Sequence, residues 1–141
     1  MTLQRLPTRP LTEAEIVSHL TRQLGKVWPR AKWGLEVPTH GRSRADVCVW
    51  SKGELITIEV KRTDWRRAIG QAALNCLVAD YSYVALWEGF VSDQVLAEAS
   101  RFGVGVLSVN CSELAVVLDA PRSQPSPLLW KKTHDGLRSR S

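Results

Sequence analysis

Between Arg44 and Lys61 the chain reads RADVCVWSKGELITIEVK, the stretch about which the rest of the sequence makes chemical sense; its plainest account is an ordinary hairpin with charged ends. Two apolar runs, Val47 to Trp50 and Leu55 to Val60, are separated by Ser51-Lys52-Gly53. A short Gly-containing break between β-branched runs closes a hairpin. Asp46 opens the first run, and Glu59 and Lys61 close the second. Strand side chains alternate, so Leu55, Thr57, Glu59 and Lys61 are expected on one side and Ile56, Ile58 and Val60 on the other. Antiparallel pairing about the turn carries Asp46 and Glu59 to the same open end. Two carboxylates and one ammonium are thereby expected near a single point.

Crowded carboxylates repel unless a cation lies between them, and oxygen ligands of this kind suit Mg²⁺, which is held by one or two carboxylates plus water and phosphate oxygens. The pattern therefore predicts a metal site open to a phosphate. Lys61 is suited to adding positive charge to a developing phosphorane or to holding an attacking water, as phosphodiester hydrolysis requires.

Ala45-Asp46 followed by Glu59-Val60-Lys61, with the two acids thirteen positions apart, resembles the motif of the PD-(D/E)xK nuclease superfamily, with alanine in place of proline. The likeness extends from about Glu13 to Trp87. It implies that Asp46 and Glu59 bind Mg²⁺ or Mn²⁺, that the Val60 carbonyl adds a ligand, and that Lys61 positions the water. In some members, junction resolvases among them, an acidic residue of the first helix points into the metal site; Glu13 is the candidate, and the alternative is that it only favours the positive end of its helix. In several branches a glutamine on the helix after the motif supports the site, sometimes with a tyrosine four residues on. Gln71 matches, whereas Asn75 holds the tyrosine position; a solvated polar edge is the competing account of Gln71.

The 141 residues suffice for one domain with a real core, and 44% apolar against 23% charged residues exclude disorder and fibre. A net charge of +5 favours an anionic partner. Cys48, Cys76 and Cys111 are odd in number, widely spaced and set among apolar residues, which predicts reduced core thiols, neither disulfide nor zinc site, and a cytoplasmic compartment. No run approaches the ~20 apolar residues of a membrane span, and the first ten residues lack a signal core. The Asn110-Cys111-Ser112 sequon is then accidental.

Residues 1–10 read as an irregular arm, residues 11–120 as the nuclease-like domain and residues 121–141 as a basic, mobile tail in which Leu128-Leu129-Trp130 forms a short anchor or partner contact. Thr12 to Glu15 fits a capping box, and Ile16, Val17, Leu20, Leu24 and Val27 form the apolar stripe of a helix that Pro29 ends. Trp33 to Val37 reads as a strand. The following loop carries His40, Arg42 and Arg44, candidates for phosphate contact, although a lone loop histidine is more often only solvated. Thr63 or Asp64 caps a second helix with Trp65, Ala68, Ile69, Ala72 and Cys76 inward and Arg67, Gln71 and Asn75 along one edge, where Arg67 is a further nucleic-acid contact. A strand from Tyr81 to Trp87, a helix from Val91 to Phe102 capped by Ser92 with Val95, Leu96, Ala99 and Phe102 inward, and strands Val104 to Val109 and Leu114 to Leu118 complete the order. The expected fold is α/β, a restriction-endonuclease-like α-β-β-β-α-β core with a mixed sheet flanked by helices.

The function that follows is metal-dependent hydrolysis of phosphodiesters in DNA, with RNA left open. No helix-turn-helix or zinc module supplies base readout, so a homodimer or a distorted, structure-specific substrate fits. The alternatives are a catalytically silent module of the same fold that binds nucleic acid or a protein partner, and a plain structural domain.

Overall fold

The computed structural model describes residues 12–140; the expected N-terminal arm lies outside them. The elements run α1 (Glu13–Val27), β1 (Lys32–Pro38), β2 (Arg44–Ser51), β3 (Glu54–Val60), α2 (Trp65–Asn75), β4 (Tyr81–Trp87), α3 (Asp93–Arg101), β5 (Gly105–Val109), β6 (Leu114–Leu118) and α4 (Pro127–Arg138). The α-β-β-β-α-β order expected from the sequence is present. A single six-stranded sheet has the strands in sequence order. β3, β4 and β5 are parallel, and the β1–β2, β2–β3 and β5–β6 pairs are antiparallel, so the sheet is mixed.

Local chemistry accounts for these boundaries. Thr12 and Glu15 cap α1 reciprocally, Asp64 accepts the Arg67 N–H to start α2, and Ser92 accepts the Val95 N–H to start α3, each satisfying an otherwise orphaned donor. The β2–β3 hairpin closes through Lys52-Gly53, at φ 52° and 76°, between the paired Ser51 and Glu54. Two consecutive positive φ values give the turn whose twist matches that of the strands.

α1 covers one face, laying Ile16, Leu20 and Leu24 over Val47, Val49, Ile56, Ile58 and Val60. On the other face α2 and α3 set Ala68, Ile69, Ala72, Val95 and Ala99 against Val84, Leu86 and Val106. The alternation expected for β3 is present: Ile56, Ile58 and Val60 pack beneath α1, whereas Leu55 packs in a third cluster with Val37, Cys48 and Leu137.

That third cluster corrects the expectation of a mobile tail. Pro127–Arg138 is a helix started by Ser126, whose hydroxyl accepts the Leu129 N–H, with Pro127 in its first turn. Trp130 donates its indole N–H to Asp80 at 3.0 Å and meets Trp50 edge-on, while Leu137 is buried on β1 to β3. The segment's many charges conceal an inward row of Leu129, Trp130, Thr133 and Leu137 at helical spacing. Leu128 is not part of that anchor; it is 77% exposed.

Two smaller corrections concern Phe102 and Cys111. α3 ends at Arg101, so Phe102 occupies the cap, no longer follows the helical period and is exposed. Cys111 is exposed in the β5–β6 turn, which is built on the Asn110 side-chain oxygen accepting the N–H groups of Ser112 and Glu113. Cys48 is the core thiol expected, pushed up to about 12 by burial and so kept from thiolate chemistry.

Candidate active site

β2 and β3 part at the end remote from their turn. The last paired positions there are Val47 and Ile58; one step on, Asp46 and Glu59 replace ladder bonds with side-chain bonds. The Glu59 carboxylate accepts the Asp46 N–H at 3.3 Å, and the Asp46 carboxylate accepts the Val60 N–H at 2.8 Å. Each acid thus grips the other's strand.

Among the described residues, neither carboxylate has an ion-pair partner within 4.0 Å. Glu59 is 4% exposed, and burial, then the charge of Asp46, push its carboxyl from 4.5 up to about 7 against the hydrogen bonds from the Asp46 N–H and Asn75. Burial likewise raises Asp46, helped by Glu36 and Glu13 and opposed by the Val60 N–H and Lys61. Lys61 does not share Glu59's side as strand alternation predicts. β3 ends at Val60, and the Lys61 ammonium turns toward α1, 4.0 Å from Glu13.

The two acids therefore abut but open onto different clefts. Glu59 lines one of about 260 Å³ with His40, Arg42, Arg44, Gln71 and Asn75. Asp46 lines the other, of about 370 Å³, with Glu13, Leu35, Glu36 and Val60. Of the candidates, His40, Arg42, Arg44 and Gln71 are thus gathered about Glu59, and Glu13 about Asp46, whereas Glu15 is used in the α1 cap. Arg67 is exposed on α2 and does not line the Glu59 cleft.

Two residues beyond the sequence candidates belong to this neighbourhood. Asn75 is buried, and its side-chain amide donates to Glu59 at 3.1 Å; it fixes the carboxylate from α2. Glu36 falls opposite Asp46 where the β1–β2 ladder passes from Leu35↔Val47 to Val37↔Ala45. Its φ of 51° is uncommon for a residue with a side chain, and Arg44 donates to its carbonyl at 3.2 Å. A lone glutamate between Leu35 and Val37 was its only signal in the sequence.

Among the described residues, the polar side chains lining the space around Asp46 are its own carboxylate and those of Glu13 and Glu36, beside the apolar Ala14, Val17, Leu35 and Val60. Mutually repelling, with the Lys61 ammonium 4.0 Å from Glu13 as partial compensation, such a set suits a hard divalent cation. Among the described residues, however, no three His, Cys, Asp or Glu side chains are drawn together as a ready cluster, so Asp46 and Glu59 are the pair that would hold an ion, with water or main-chain oxygen completing its shell.

Fold and site together define an α/β domain with a six-stranded mixed sheet and an acidic pair at the mouth of its central hairpin. No protein-family model matches the chain, nor does any curated protein. Among solved structures it shares its fold with the SPO1766 protein of unknown function from Silicibacter pomeroyi, at 19% identity and a TM-score of 0.73 over 92% of this chain and 86% of that one. A more distant similarity, 16% identity and a TM-score of 0.37 over 77% of this chain and 61% of that one, is to Pyrococcus furiosus SfsA in complex with Ca²⁺.

Proposed function

We propose that this protein is a metal-dependent nuclease of the PD-(D/E)xK type, hydrolysing phosphodiester bonds, in DNA first. The observation that carries the reading is the Asp46–Glu59 pair: a half-buried and a buried carboxylate, interlocked through the 2.8 and 3.3 Å main-chain bonds, both raised by burial and by neighbouring acids. Keeping such a pair uncompensated is costly, and a bound cation removes the cost. Mg²⁺ or Mn²⁺ held by Asp46 and Glu59 would supply Lewis-acid polarisation of a phosphoryl oxygen and a more acidic water.

The protein's own groups then have distinct tasks. Lys61 adds positive charge beside the reacting phosphate or holds the water, with Glu13 fixing its ammonium. Asn75 orients Glu59, and Gln71, Arg42, Arg44 and His40 form the polar wall of the cleft into which the substrate backbone enters.

Purified protein with Mg²⁺ or Mn²⁺ is expected to nick or cut some DNA in a panel of linear, branched and single-stranded substrates. Glu59→Ala and Lys61→Ala should each abolish this without unfolding the protein; undiminished cleavage by either variant removes the mechanism. One observation favours a second reading, a silent module that only binds nucleic acid or protein: Asp46 and Glu59 open onto different clefts. Calorimetry with Mn²⁺ separates the two, since the silent module predicts no saturable binding dependent on Asp46 and Glu59.

A further inference from the structure

The other end of the central hairpin carries opposite charge. Two adjoining clefts, about 370 and 470 Å³, share Lys32 and Trp50. The first is completed by His134, Leu137 and Arg138 of α4, the second by Pro29, Arg30, Ser51 and Lys52. No carboxylate lines either; the nearby Asp135 is paired with Lys131 at 3.1 Å. The floor is aromatic and fixed, because Trp50 packs on both His134, 4.3 Å between ring centres, and Trp130.

Arg30 and Lys52 stand on the turns, and Lys32 opens β1. Arg30 and Lys52 are two of the three residues other than glycine held at positive φ among those described, and Arg30, Lys32 and Lys52 are all exposed. Trp50 stands four positions from Asp46 along β2, roughly 13 Å at ~3.3 Å per residue. That span corresponds to about four steps of a nucleic-acid strand.

We infer that this basic and aromatic surface, formed by the α1–β1 turn, the β2–β3 turn and α4, is a second contact for the phosphate backbone of a nucleic acid, remote from the carboxylates. The inference rests on the proposed function for its choice of anion, and the test below separates the two. Phosphate contacts by Lys and Arg release counterions, so each contributes about 0.9 to the slope of log affinity against log salt on duplex DNA.

The experiment is equilibrium binding of a labelled duplex, long enough to cover both ends of the hairpin, in a metal chelator so that no cleavage occurs. The combined Arg30→Gln, Lys32→Gln and Lys52→Gln variant should bind at least tenfold more weakly at low salt, and its salt slope should fall by about 2–3. Lys52→Gln alone, at an exposed turn, should lower the slope by about one and decides the matter if the combined variant does not fold. Unchanged affinity and slope overturn the inference, whatever these changes do to binding of acidic peptides or anionic vesicles. A small chromogenic phosphodiester with Mn²⁺ tests the carboxylates independently: the variants should hydrolyse it as the parent does. Should the parent hydrolyse nothing, the nuclease reading falls while the binding result still stands or fails by itself.

Discussion

Glu59→Gln is the substitution on which the electrostatic reading of the site is most exposed. With no cation bound, the Glu59 carboxyl keeps its proton up to about pH 7, against 4.5 when unburied. Between those values the folded chain holds a proton that the unfolded chain has released. Stability therefore falls as pH rises through this window, and the loss is complete above the folded value. At 1.36 kcal/mol per tenfold change in proton affinity, the move from 4.5 to about 7 amounts to about 3 kcal/mol. Glutamine keeps an acceptor for the Asp46 N–H and the Asn75 amide and carries no charge. The variant should match the parent near pH 4.5 and exceed its stability by about 2–3 kcal/mol near pH 8. Urea unfolding followed by the fluorescence of the six tryptophans, in chelator and across this range, reads the difference directly. Parallel pH profiles, or a variant weaker than the parent at high pH, would refute the reasoning. Added Mn²⁺ should stabilise the parent by RT ln(1 + [L]/Kd) and leave the variant nearly unmoved.

Three further outcomes are expected. Gly105→Ala should destabilise severely, because a Cβ there would stand 2.7 Å from the Ala120 nitrogen and against the Tyr83 ring; thermal unfolding should show a loss of several kcal/mol, with hydrogen exchange rising first in β5. Asp80→Ala should cost about 2–4 kcal/mol, since it strips the buried Leu55 N–H and the Trp130 indole of their acceptor, and limited proteolysis should then release α4. Arg42→Gln with Arg44→Gln should weaken DNA binding nearly equally across sequences and flatten its salt dependence, as loss of backbone contacts does; retention of the full salt slope would exclude these arginines from the interface.

The fold was legible because its signals were local. The capping box at Thr12, the Lys52-Gly53 turn and the alternation in β3 each act within a few residues, and together they impose the element order. The acidic pair was legible for the same reason, since hairpin pairing is an arithmetic of positions about one turn. What escaped depended on distance. Asn75 reads as an edge residue until α2 packs and turns it to Glu59. Glu36 reads as a surface charge until its backbone kinks beside Asp46. Lys61 obeys alternation only while the strand lasts, and the strand ends one residue earlier. α4 was hidden by composition: its cations suggested a solvated tail, whereas its four inward residues match a groove that exists only after β1, β2 and β3 have paired.

That groove has a consequence for biosynthesis. The first half of the sheet leaves the ribosome early, and Cys48, Leu55 and Val37 pack with Val78 and Ala79 but gain the rest of their cover from Leu137 only when α4 emerges. At ~5–20 residues per second, the nascent hairpin carries an incompletely covered apolar face for several seconds, and chaperone engagement during translation should centre on that interval. A premature stop before Pro127 would leave that face without its α4 cover permanently, yielding a chain whose full acidic pair sits on an aggregation-prone sheet.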